Sequence, residues 1–129
     1  MGNFKTTFCI ALLLSFFVFF VGCEYDAVLP PPPPDQVRFQ DHVIPYFDLS
    51  CNTAGCHDGP NGFKPDLTVE GAYNALWEGN YIDTLTPENS LLYQSMIGDF
   101  GTPMPPPVGA STADSELVLK WIEQGALNN

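Results

Sequence analysis

Apolar residues recur at helical spacing in four segments of the chain after Asp35, and no segment alternates with the period of two that a half-buried strand shows. We therefore predict an all-α fold. The clearest segment is the last, which covers residues 113–124 and meets a helix-stop signal at Gly125. A single apolar stripe follows this segment and consists of Leu117, Val118, Trp121 and Ile122.

Three earlier segments carry other helix signals. The first covers about residues 35–48, with Asp35 as a candidate N-cap, and Pro45 should kink or shorten it. The second covers residues 69–77 between Thr68 and Gly79. In the third, Thr86 is a candidate N-cap and Pro87 takes the first position of a helix that continues over residues 88–97 to Gly98.

The first 22 residues are typical of a secretory signal. Lys5 supplies a positive start, and residues 8–21 are almost wholly apolar but shorter than the ~20 residues that span a bilayer. This stretch ends in Phe-Val-Gly before Cys23, which resembles the lipobox of bacterial lipoproteins, although Phe replaces the usual Leu. The resemblance implies cleavage before Cys23 and lipidation of that cysteine. The alternative is an uncleaved anchor helix, and both place the rest outside the inner membrane, facing the periplasm or the cell surface.

Residues 23–34 form a proline-rich tether, and residues 35–129 are sufficient for one small domain. Five consecutive prolines, Pro30 to Pro34, favour the stiff polyproline helix, which rises ~3.1 Å per residue. We expect this tether to hold the domain away from the membrane.

The chain is acidic, with four Lys and Arg residues, fifteen Asp and Glu residues and a formal net charge of −11. Such a surface repels phosphates and excludes nucleic acid as a partner. It favours encounter with a redox partner that carries a basic patch, although an acidic surface also serves solubility alone.

The motif Cys51-Asn-Thr-Ala-Gly-Cys56-His57 carries the candidate chemistry. A cysteine pair ending in Cys-His is typical of c-type haem attachment, in which the thiols bond to the porphyrin and the imidazole binds iron. A disulfide between Cys51 and Cys56 is the alternative in an oxidising compartment. A zinc site that also uses His42 is disfavoured because the usual ligand spacings are absent.

The spacing within this motif is wider than the usual Cys-x-x-Cys-His by two residues. On a regular helix, residues five apart differ by about 140° around the axis, against roughly 60° for residues three apart. Cys51 and Cys56 therefore cannot face one haem edge from an unbroken helix. We expect the segment to bulge, and Asn52 and Gly55 tolerate the backbone that this requires.

Four segments in the same order resemble the monohaem cytochrome c domains of Bacteroidetes and planctomycete-type lipoproteins and enzymes. They are Val43-Ile-Pro-Tyr-Phe47, Cys51 to Gly59, Gly101-Thr-Pro-Met-Pro-Pro106 and Leu119-Lys-Trp-Ile-Glu-Gln-Gly-Ala126. The resemblance implies a class I cytochrome c-like fold around one covalent haem c. Such a haem would also supply the core that four short helices with long loops lack.

The same resemblance implies that Met104 is the second axial ligand of the iron. Prolines surround Met104 and restrict its loop, so that its thioether is aimed with little ordering cost. His42 is the alternative ligand, or else a solvent-facing or capping residue of the first helix. Met96 ranks third and is expected to fill the core.

Aromatic residues complete the expected site. Phe39, Phe47 and Trp121 should form a contact between the first and last helices. Tyr73, Trp77 and Tyr81 are either core residues or candidates to reach a haem propionate.

We therefore expect an electron carrier rather than an enzyme, with both axial positions of one haem filled. Two alternatives remain. One is a haem-based sensor or peroxidase-like domain, which needs an axial position that opens. The other is a haem-free lipoprotein interaction module with a Cys51–Cys56 disulfide.

Overall fold

The computed structural model describes residues 29–129, so the apolar leader and Cys23 lie outside the described residues. A π-helical turn, Phe39–Val43, leads without a break into the first α-helix. The four α-helices are α1 (Ile44–Ser50), α2 (Ala72–Glu78), α3 (Leu91–Ile97) and α4 (Thr112–Glu123). The described part contains no strand, which confirms the all-α prediction. Within it, no helix combines the length and the apolar character needed to cross a bilayer.

The π turn and α1 together form the first helix, residues 39–50. This helix begins later than predicted, at Phe39 rather than near Asp35. Residues 35–37 instead run alongside the end of the chain, because the Gln124 side chain bonds to the carbonyl of Asp35 and to the N–H of Val37. Pro45 is accommodated by the π turn, in which the N–H of Ile44 reaches back to the Phe39 carbonyl. This wider turn precedes a residue that has no N–H and would crowd a regular helix.

The predicted third helix is interrupted at Ser90. Residues Pro87–Asn89 form a separate 3₁₀ turn, and Ser90 is extended before α3 begins. The buried Ser90 hydroxyl accepts from the Asp83 N–H (2.9 Å) and donates to the Asp83 carbonyl (3.2 Å). These bonds satisfy the N–H and the carbonyl of Asp83, and they hold Ser90 in an extended conformation that interrupts the helix. The predicted stop at Gly98 is correct, with φ of 84°.

Helices α2 and α4 lie close to their predicted ranges. Helix α2 starts at Ala72, because a turn at Thr68 held by the Asp66 carboxylate occupies the preceding residues. Helix α4 has Ser111 as its N-cap, whose hydroxyl accepts from the Asp114 N–H. Three of the four stripe residues of α4 are fully buried: Val118, Trp121 and Ile122.

The first helix and α4 form the centre of the core, as the aromatic residues predict. The rings of Phe39 and Trp121 stack with centroids 4.8 Å apart, and Phe47 meets Phe39 edge to face at 6.4 Å. Tyr73 of α2 also meets Phe39 in an edge-to-face arrangement, with ring centroids 5.5 Å apart. Such aromatic pairs contribute about 0.5–1.5 kcal/mol beyond the area they bury.

The C-terminal residues cap the start of the first helix. Asn129 accepts from the N–H of Phe39 through its side chain (2.8 Å) and from the N–H of Gln40 through its backbone oxygen (2.9 Å). These donors belong to the first turn, where a helix has no internal acceptors. Together with the two bonds of Gln124, they form what we call the terminal clasp.

We predict that Gln124→Ala lowers the free energy of unfolding by about 1–2 kcal/mol, because it removes two hydrogen bonds of the clasp. Glu123→Ala is the matched control, since Glu123 is the exposed neighbour. Urea unfolding followed by circular dichroism measures both variants. Equal losses in the two would contradict the clasp.

Candidate functional site

The segment 51–57 leaves the helix and turns back on itself. Cys51 is the C-cap of α1 and donates its N–H to the Phe47 carbonyl. The N–H of His57 then returns to the Cys51 carbonyl at 3.2 Å. Gly55 takes φ of 83°, a conformation that glycine adopts without strain. The segment is thus a compact turn that brings His57 beside Cys51.

The loop after His57 closes over this turn. The N–H of Phe63 donates to the Cys56 carbonyl (2.8 Å), and the N–H of Leu67 donates to the His57 carbonyl (3.0 Å). Gly62 allows the close approach, because a Cβ at this position would lie 2.5 Å from the Cys56 carbonyl oxygen. Defined hydrogen bonds therefore hold the backbone at Cys56 and at His57.

The imidazole of His57 is oriented by backbone carbonyls. Its Nδ1 lies 2.8 Å from the Pro65 oxygen and 3.1 Å from the Phe63 oxygen. A carbonyl oxygen only accepts, so Nδ1 carries the proton and Nε2 of the neutral ring keeps its lone pair. Metal-ligating histidines usually have such a partner, which fixes the tautomer and the ring orientation. The neutral His57 ring therefore keeps the lone pair of Nε2 available.

His42 has the opposite tautomer. Its Nδ1 accepts a 2.9 Å hydrogen bond from the backbone N–H of Arg38, the residue that precedes the first helix. Nδ1 supplies the lone pair, so Nε2 carries the proton of the neutral ring. Binding a metal through Nε2 would require a tautomer change and the loss of this capping bond. The geometry favours the capping role of His42 over ligation.

Cys51 and Cys56 are both free thiols, but their surroundings differ. Cys51 is half-buried at the end of α1, whereas Cys56 is exposed. Burial raises the pKa of the Cys51 thiol to about 11, against a smaller lowering by the neighbouring Tyr46 hydroxyl. The charge of Asp114, in the first turn of α4, adds to the rise. In the neutral range Cys51 is therefore a protonated thiol in a low-dielectric site.

Tyr46 belongs to this site, although sequence reasoning assigned it no role. Burial raises the pKa of its phenol, and the nearby Cys51 and Asp114 raise it further. The phenol oxygen lies close to the Cys51 sulfur, but the two do not meet the geometry of a hydrogen bond, and this buried oxygen has no other partner. Only the tertiary structure brings Asp114 near, so the local sequence carries no signal for this cluster.

Met104 lies on a separate loop that α3 holds in place. The N–H of Met104 donates to the Ser95 carbonyl (2.8 Å), and the N–H of Ala110 donates to the Met96 carbonyl (2.9 Å). The Met104 side chain is half-buried. Met96, by contrast, is only 3% exposed and packs in the core with Leu92, as predicted.

The remaining candidate aromatic residues have mixed positions. Tyr73 and Tyr81 pack against the core as partly buried residues. Trp77 is 38% exposed and lies 6.3 Å from Tyr73, ring centre to ring centre. The core role is thus supported for the two tyrosines, and Trp77 stays a surface candidate.

The chemistry of these groups fits a covalently held haem. One turn carries two free thiols that can form thioethers and an imidazole whose Nε2 lone pair is available for iron. The unpartnered hydroxyl of Tyr46 beside Cys51 marks a polar position at which the protein alone leaves a donor unused. Within the described residues, no three His, Cys, Asp or Glu side chains cluster as ligands of a bare metal ion.

We predict that Gly109→Ala destabilises the Met104 loop and lowers the free energy of unfolding by about 1–3 kcal/mol. Gly109 has φ of 86°, and a Cβ there would lie 2.6 Å from the Met96 carbonyl oxygen. Gly101→Ala is the matched control, because Gly101 also has positive φ but open space around its Cβ position. Urea unfolding compares them, and a loss no greater than that of the control would contradict a role for the close approach.

Comparisons of the chain with protein-family models, with curated proteins and with solved structures found no match.

Proposed function

We propose that this protein is an electron carrier with one covalently bound haem c, tethered to a bacterial membrane by a lipid on Cys23. The observation that carries the proposal is the state of His57, which directly follows Cys56 and whose Nε2 lone pair is kept available by the carbonyl partners of Nδ1. Both thiols of the same turn are free.

The chain's own residues would divide the work of holding the group. The thiols of Cys51 and Cys56 would each hold the porphyrin by a thioether bond, made by addition of the S–H across one vinyl group, with the proton on the other vinyl carbon. His57 would bind the iron through Nε2, and the thioether of Met104 would be the second ligand from the protein. When bound, haem c supplies an iron that gains and loses one electron.

Exposed apolar side chains flank the candidate ligands along the chain. Leu49 precedes Cys51 and is 81% exposed, and Phe63 follows His57 at 71%. Phe100 and Val108 stand on either side of Met104 at 55% and 86%. Single exposed apolar residues are common, but this distribution along both ligand segments suits an apolar porphyrin that packs against them.

The negative charge and the proline-rich tether suit electron transfer to partner proteins near a membrane. The formal net charge of −11 favours a redox partner with a basic docking patch. The prolines from Pro30 to Pro34 are exposed apart from Pro33, and they carry no helix or strand. Their stiffness would hold the domain off the membrane that the lipid of Cys23 engages.

We predict that the chain, expressed with cytochrome c maturation machinery, contains one covalent haem by pyridine haemochrome spectrum and intact mass. The double variant Cys51→Ala, Cys56→Ala should lose all covalently attached haem, because both attachment atoms are gone. His42→Ala is the control and should keep it, since His42 caps the first helix. A colourless wild-type protein in a competent host would overturn the proposal and favour the disulfide-bonded module.

We predict that Met104→Ala abolishes the charge-transfer band of sulfur-ligated ferric haem and lowers the reduction potential by on the order of 0.1 V, within the ~0.8 V that axial ligands control. Carbon monoxide should then bind the reduced variant rapidly. Met96→Leu is the control, because Met96 is a core residue and this volume-conserving change leaves the band intact. Rapid carbon monoxide binding to the wild type would instead favour the sensor or peroxidase alternative.

A further inference from the structure

The Tyr46 hydroxyl stands out among the buried polar groups of residues 29–129. Tyr46 is 7% exposed, and its phenol oxygen is the one buried side-chain polar atom there without a hydrogen-bond partner. Native proteins rarely leave such a donor unused, because burying it unpaired opposes folding. A hydroxyl in this state usually has a partner that the protein chain alone does not supply.

The neighbours of this hydroxyl indicate which group that partner is. The Cys51 sulfur and the Asp114 carboxylate are both close enough to shift the pKa of the phenol. Asp114 already accepts from the Ser111 hydroxyl at 2.6 Å, and its own N–H returns to that hydroxyl. The Ser111 hydroxyl thus engages one oxygen of Asp114, and Asp114 acts on the phenol through its charge alone, whereas the Cys51 sulfur also acts on it at hydrogen-bonding range. The sulfur is therefore the acceptor nearby that the phenol can use.

A free thiol is a poor partner for a phenol, because the S–H is itself a weak donor and the sulfur a weak acceptor. Forming a thioether removes the thiol proton and leaves the sulfur only as an acceptor. It also fixes the sulfur at one position, since the porphyrin then holds its second substituent. The acceptor beside the Tyr46 hydroxyl thus becomes defined only after attachment.

We propose that Tyr46 is a positioning residue of the attachment site, whose O–H donates to the Cys51 sulfur in the haem-bound protein. This inference rests on the proposed function. The bond fixes the orientation of the first thioether against the end of α1. It thereby holds one edge of the porphyrin to the core face of the first helix.

The test is a double-mutant cycle on the haem-bound full chain, measured by urea unfolding. Tyr46→Phe removes only the hydroxyl. We expect it to destabilise the holoprotein that is otherwise wild type, raising the equilibrium constant for unfolding roughly tenfold. In a Cys51→Ala background, whose haem is held by Cys56 alone, the same change should have no effect or lower the unfolding constant, because the acceptor is gone. Tyr73→Phe is the matched control and should act equally in both backgrounds.

The outcomes separate this inference from the proposed function. If Tyr46→Phe has the same effect with and without the Cys51 sulfur, the hydrogen bond is refuted, while a normal haem spectrum leaves the electron-carrier proposal standing. If the wild type takes up no haem, both fail together. Where the haem-free chain is folded, Tyr46→Phe should stabilise it, opposite in sign to the holoprotein, and an equal destabilisation of both forms would also refute the bond.

Discussion

The contact between the first and last helices is the interaction on which the rest of this structure depends. Phe39 stacks on Trp121 at 4.8 Å, and both rings are fully buried. The polar groups of the chain ends close around them, since Asn129 and Gln124 supply acceptors for backbone donors at the start of the first helix. The domain has only four short helices. In this one contact, apolar side chains are buried and the backbone N–H groups at the start of the first helix also find acceptors.

The same pairing positions the candidate site. The π turn at the start of the first helix meets the end of α4, where Phe39 stacks on Trp121. Cys51, which caps α1, lies close enough to Asp114 in the first turn of α4 for that charge to raise the pKa of its thiol. The site lies at the end of α1 that is away from the clasp, and Tyr46 connects it to the core. The loop of Met104 is attached separately, through α3.

The sequence predicted the helix ends that depend on residues close to them in the chain. Helix α4 has its N-cap, its apolar stripe and its glycine stop within its own residues, so its range could be predicted to within about a residue. The start of the first helix could not, because its capping acceptor, Asn129, is 90 positions away. The interruption at Ser90 likewise depends on a hydroxyl that bonds seven residues back to Asp83.

The candidate site divides in the same way. Cys51, Cys56 and His57 are visible in the sequence because their chemistry lies in one short motif. The carbonyls of Phe63 and Pro65 that orient the imidazole follow in the next loop, and no pattern of residue types announces them, since any residue supplies a carbonyl. The nearness of Tyr46 to Asp114 depends on the tertiary packing of two segments that are far apart in the sequence.

In this arrangement, a group attached at the motif would affect the stability of the whole domain. The terminal clasp fastens the start of the first helix, whereas at the other end of this helix Tyr46 keeps an unused donor and Cys51 a free thiol. A group bound there would fasten the second end and add the apolar contact area that a thin core lacks. Because binding to the folded state alone stabilises it, a covalent porphyrin held at Cys51 would stabilise the first helix, as the clasp does at its start. Cofactor and fold would then depend on each other, and the choice of Tyr at position 46 would reflect the loaded state rather than the chain alone.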